Sequence, residues 1–170
     1  MADSPSIATV EGTDSAAVQV LFAKAIGRWK DGGLRVAGVV EETHGLPGRT
    51  CNAGVLRDIA SGRSHSIFLA TPPVDTSCHI DARGAEGACA AVLPQIADCD
   101  LVVLSKFGKL EAAHGGLFDA FVAAFEARKP ILTTVSEKHR SAWTAFAPDS
   151  VVIEPTDTAI DAWRRSVTGG

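Results

Sequence analysis

The sequence predicts an α/β domain of three layers (α/β/α) built on a mostly parallel sheet, with a β-hairpin insertion. The opening of the chain is the first ground for this. Ile7 to Val10 is a short apolar run, and a turn follows at Glu11-Gly12-Thr13. Behind it Val18, Leu21, Phe22, Ala25, Ile26 and Trp29 recur at three- and four-residue steps, the spacing of one apolar helix face. Residues 34–40 then read as a second strand, and strand–helix–strand is the unit of parallel sheets. The second ground is Leu101 to Leu104, an unbroken apolar run between Asp100 and Ser105. Such runs suit strands buried on both faces of a parallel sheet. The third ground is the pair of segments 50–59 and 66–70, which flank Ser61-Gly62 as arms flank a hairpin turn.

Composition sets the outer limits. The chain has 170 residues, 46% of them hydrophobic and 21% charged, with a formal net charge of −4. That is the make-up of one globular domain, residues 1–170. There is no basic stripe to meet nucleic acid. No apolar run approaches the roughly 18 residues that cross a membrane. No charged segment followed by an apolar one marks a signal peptide, so a cytoplasmic location is expected. Cys51, Cys78, Cys89 and Cys99 form no CxxC pair and read as reduced thiols. Homo-oligomer formation is left open.

In chain order, Asp14 or Ser15 caps the first helix, which runs to about Lys30 and stops at Asp31-Gly32-Gly33. Residues 41–49 read as loop. Arg57, Asp58 and Arg63 read as a solvated hairpin face, whereas Arg49, Cys51 and Asn52 stand at its start and are candidate ligand contacts. Residues 71–83 form a long connection with Cys78, His79 and Asp81. Long connections in compact domains are often functional. Thiolate and imidazole at Cys78-His79 suit zinc or copper, but a metal centre needs three or four ligands and no second such pair lies close, so no metal is expected. Asp81 is also a cap for a helix over residues 82–98, which Pro94 kinks or restarts. Cys89 and Cys99 read as core. Further helices are expected over 117–128, 137–146 and 156–167, with strands at 131–135 and, on a sheet edge, 151–153.

The chemistry gathers past the central strand. Ser105-Lys106-Phe107-Gly108-Lys109-Leu110-Glu111 follows it directly, and ligands of open α/β sheets sit outside the carboxyl ends of strands. Ser105, Lys106, Gly108, Lys109 and Glu111 are therefore the leading ligand-binding candidates; solvated loop charges are the plainer reading. The first turn, with Gly12 and Thr13, invites comparison with a phosphate loop, G-x-x-x-x-G-K-[ST]. It has one glycine, no lysine, and the carboxylates Glu11 and Asp14, which occupy the field that would attract phosphate.

The order of these motifs resembles a bacterial domain-of-unknown-function family that accompanies molybdate-transport genes. Ser105 to Glu111 carries the resemblance most specifically, with Pro130-Ile-Leu-Thr-Thr-Val135 and Ala142-Trp143-x-x-Phe146-Ala147. That family is in turn similar to the phosphate-loop nucleoside triphosphatases of the cancer-related type. In those relatives the central strand ends in Asp-Glu and Ile-Gly-x-x-Glu; here only Gly108 and Glu111 carry over, and Ser105-Lys106 replaces the acidic pair. The resemblance implies a phosphate-loop-nucleotidase-like fold. The site would be rebuilt for a small oxyanion, molybdate or tungstate, bound by Ser105, Lys106, Gly108, Lys109, Glu111, Gly12, Thr13, Asn52, Arg49, Cys51, Cys78 and Asp81. Catalytic residues are not expected. The alternative is a nucleoside-triphosphate binder or weak triphosphatase using a magnesium nucleotide; a third is a regulatory module with a vestigial site.

Overall fold

The computed structural model describes residues 5–12, 14–43, 53–68 and 81–169. Among the described residues seven strands form one sheet: β1 (Ile7–Val10), β2 (Val36–Thr43), β3 (Ala53–Asp58), β4 (Ser64–Ser66), β5 (Leu101–Leu104), β6 (Ile131–Thr133) and β7 (Val151–Ile153). Their order is β4-β3-β2-β5-β6-β1-β7. The strands β2, β5, β6, β1 and β7 pair in parallel, and β3 and β4 extend the β2 side antiparallel. The sheet is thus mostly parallel with an added hairpin, and β7 is an edge strand, as the sequence implies.

Six α-helices among the described residues cover it: α1 (Ser15–Asp31), α2 (Ala82–Val92), α3 (Lys109–Ala112), α4 (Phe118–Glu126), α5 (Arg140–Phe146) and α6 (Asp157–Thr168). Alternation along the buried strands assigns the faces. Leu101 and Val103 of β5 pack with Val18, Phe22, Trp29 and Trp163 under α1 and α6. Val102 and Leu104 pack with Val92, Phe121 and Trp143 under α2, α4 and α5. Trp29 Nε1 donates to Asp161 Oδ1 at 2.7 Å, which ties α1 to α6. Neighbouring strands β1 and β6 lead into α1 and α5 on opposite faces, and that divergence opens a crevice outside their carboxyl ends.

The local signals act as the sequence suggests at several points. The Asp14 carboxylate accepts from the Ala17 N–H at 3.1 Å and caps α1. The helix after Asp81 stops at Val92, and Leu93–Asp98 continues as a 3₁₀ turn with Pro94 in its first turn. Cys89 and Cys99 are buried, and burial pushes both thiols up.

Three expectations are corrected. The strand β2 does not stop at Val40 but runs to Thr43, because β3 pairs with it through Glu42↔Val55 and Thr43↔Ala53. The second hairpin arm pairs over Ser64–Ser66 rather than from Ser66 onward. Asp58 is not solvated: it is buried, accepting from the Ser61 N–H at 2.9 Å and from Gln95 Nε2 at 2.9 Å. Arg57 does lie on the surface side, forked onto Glu42 at 2.6 and 3.1 Å.

Candidate functional site

The corner at the carboxyl end of β5 is held rigidly from below. Phe107 extends the strand: its N–H donates to Thr134 O at 2.8 Å, and its carbonyl accepts from the Ser136 N–H at 3.0 Å. The ring is 1% exposed and meets Phe121, Trp143 and Phe146 with centroids 5.2–6.2 Å away. Lys106 and Gly108 therefore flank a fixed anchor.

Glu111 locks the other side. Its Oε1 accepts from the Gly108 N–H and its Oε2 from the Leu117 N–H, both at 2.9 Å. Burial raises this carboxyl above its usual range, against the pull of those N–H groups and of Lys106. Both oxygens are engaged in shaping the turn between α3 and α4. Glu111→Gln is expected to cost about 1–3 kcal/mol, since one buried N–H then faces an amide NH₂. A chemical-denaturation midpoint equal to that of the wild type would contradict this role.

Three further residues, not singled out in the sequence, complete the corner. Gln19 is buried on α1. Its Nε2 donates to Ser105 O at 2.8 Å, and its Oε1 accepts from the Glu41 N–H at 3.0 Å, so one side chain joins the ends of β5 and β2. Thr134 Oγ1 donates to the same Ser105 carbonyl at 3.0 Å. Glu41 is half-buried; burial raises its carboxyl, Lys106 opposes that, and Glu111 adds to it. The usable signals were a glutamine in register with Phe22, Ile26 and Trp29, and a carboxylate just past an apolar strand.

Ser105, Lys106, Gly108 and Glu111 thus come together, with Ser105 buried and Lys106 half-buried. Lys109 begins α3 and is exposed. Gly12 lies exposed at the end of β1, separated from β5 by β6. Asp81 sits beside β4: its N–H donates to Ile67 O at 2.8 Å and its carboxylate accepts from the Arg83 N–H at 3.0 Å, capping α2. Thr13, Arg49, Cys51, Asn52, Cys78 and His79 lie outside the described residues. Among the described residues no group of three His, Cys, Asp or Glu side chains is placed to hold a metal ion. None of their helices is long and apolar enough to cross a membrane.

The first turn is occupied by its own charges. Asp14 caps α1, and Glu11 forms an ion pair with Arg140 at the start of α5 across the crevice between β1 and β6.

A family described as protein of unknown function (DUF2478) matches residues 7–163. The chain belongs to this family. Over 139 residues, 80% of the chain, this DUF2478 protein is 35% identical to the molybdenum import ATP-binding protein ModC 2 of Bradyrhizobium diazoefficiens. The match spans 15% of that relative's length. The solution structure of a human cancer-related nucleoside triphosphatase superposes with a TM-score of 0.62 at 17% identity, covering 99% of both chains. The fold is therefore of the phosphate-loop nucleoside triphosphatase type.

Proposed function

We propose that this DUF2478 domain binds a small oxyanion of the molybdate or tungstate class, in molybdenum handling in the cytoplasm. The ligand would lie outside the carboxyl ends of β2 and β5, with Lys106 as its principal cation. One observation carries the reading: a half-buried lysine stands at the end of the central strand, while the first turn meets its own carboxylates, Asp14 on the helix terminus and Glu11 on Arg140. A phosphate chain at that turn would face anions instead of a free helix end. A cation in a partly desolvated corner favours an anion through charge-assisted hydrogen bonds. The likeness to a molybdenum import protein supports the choice of oxyanion. Lys109, exposed at the start of α3, would add a second cation.

The second reading is a nucleoside-triphosphate binder. The phosphate-loop nucleoside triphosphatase fold, matched over almost the whole chain, favours it. A thermal-shift panel separates the two. Molybdate, tungstate, sulfate and phosphate are compared with ATP and GTP, each with and without magnesium. A ligand at about 100 times its Kd adds roughly 2.7 kcal/mol, a readable shift. The expected result is a shift with molybdate or tungstate that Lys106→Gln removes. A shift with magnesium nucleotide alone would overturn the oxyanion reading in favour of the second.

A further inference from the structure

We propose that Glu41 determines which oxyanions the Lys106 corner accepts, by sharing one proton with the bound ion; this rests on the oxyanion reading above. The geometry begins with strand register. In the parallel pair β2/β5, Val39 lies opposite Leu104. Two residues further along stand Glu41, still within β2, and Lys106, two residues past the end of β5. Side chains alternate along a strand, so Glu41 points to the side of Val39; Lys106 lies beyond the alternation of β5, and its Cε and Glu111 Oε1 both border Gly108, 3.5 and 3.8 Å from where a Cβ there would stand. That side is the core face under α2 and α4, and Glu111 rises from the same side. Gln19 fixes the backbone of Glu41 through its N–H, at 3.0 Å.

The two carboxyls beside Lys106 are not equivalent. Both Glu111 oxygens accept backbone N–H groups. Among the described residues no hydrogen bond engages the Glu41 carboxyl. The charges that reach it are Lys106, after β5, and Glu111, on α3. From α1 it meets the neutral Gln19, and across the antiparallel pair it stands opposite the apolar Leu56. Burial favours its protonated form.

An ionised carboxyl only accepts hydrogen bonds, whereas a protonated one donates. Near neutrality phosphate keeps a proton, while molybdate, tungstate and sulfate carry none. Hydrogen phosphate would donate its own proton to the Glu41 carboxylate, with no net proton change. Molybdate would need the proton on Glu41; where Glu41 is ionised in the free protein that proton comes from solvent, so each ion bound would take up about one. By linkage its affinity then falls about tenfold per pH unit once Glu41 ionises in the free protein.

The test is calorimetry of sodium molybdate and of inorganic phosphate across the neutral pH range, in buffers of different ionisation heat. Expected for the wild type is a proton uptake per molybdate that rises toward one at the alkaline end of the range, and none there for phosphate, which is then hydrogen phosphate. Glu41→Gln, a permanent donor, is expected to bind molybdate with no pH dependence and to weaken phosphate by about tenfold or more. No proton uptake with molybdate in the wild type even at the alkaline end of the range overturns the proposal; this reading stands without the variant if Glu41→Gln does not fold. So does a Glu41→Gln protein with the wild-type pH profile. If Lys106→Gln loses binding while Glu41→Gln matches the wild type, the oxyanion reading stands and only this inference falls. If the wild type binds no oxyanion, both fall.

Discussion

Gly38→Ala is expected to abolish folding. Gly38 lies inside β2, paired with Val103 of β5, at φ +124°. A Cβ there would stand 1.7 Å from Val103 O. The backbone conformation is closed to residues with side chains, and the contact is with a carbonyl held in a sheet, so neither can yield locally. The parallel pair would have to separate, and with it the strand ends that carry Glu41 and Lys106. The loss should exceed about 4 kcal/mol, among the largest that single substitutions produce. Gly27→Ala is the control. Gly27 is an exposed position of α1 with nothing within 4 Å of an added Cβ, and alanine there should stabilise the helix by up to about 1 kcal/mol. Circular dichroism and denaturant titration of the two variants decide the matter; a Gly38→Ala protein with a normal melting curve would refute the close approach.

Phe107→Ala should cost about 3–5 kcal/mol, the range for emptying a buried aromatic site. In a chain of this length each kcal/mol lowers Tm by about 2–4 °C, so a fall of roughly 6–20 °C is expected. The ring sits between Phe121, Trp143 and Phe146, side chains of α4 and α5. Its removal leaves a cavity directly beneath Lys106 and Gly108. Ligand affinity should therefore fall even at temperatures where the variant is fully folded. A Leu substitution, which keeps most of the volume, should recover most of the stability. An alanine variant as stable as the wild type would show that the lysine corner is not anchored in this way.

The contrast between what the sequence shows and what it hides follows the range of the forces. The apolar stripe ending at Trp29, the run Leu101–Leu104, the cap at Asp14 and the break at Pro94 are local, and each is visible in its own window. The helix α3 is a single turn, Lys109–Ala112, too short to show a period. Glu41 reads as loop because β2 is prolonged only by its pairing with β3, a partner that the window around Glu41 does not contain. Gln19 hides within an apolar stripe, since its purpose lies at the ends of two distant strands. The lysine corner was legible as a place. Its acidic neighbour Glu41 and its stitching by Gln19 and Thr134 were not, because they exist only once the ends of β2, β5 and β6 meet.

The strand order also governs when this molecule can come into being. The first strand of the chain, β1, lies between β6 and β7, which come from its last third. During synthesis at about 5–20 residues per second, β1 waits on the order of ten seconds for its first neighbour. Through that interval Ala8 and Val10 can shelter against the apolar face of α1, while Ile7 faces the side that α4 and α5 later cover. Meanwhile β2, β3 and β4 can already zip together through near-neighbour contacts. Assembly thus proceeds from the hairpin edge inward and closes last around β1. A nascent chain halted before Ile131 would hold a finished hairpin and an unfinished centre, and would be a natural client for chaperones.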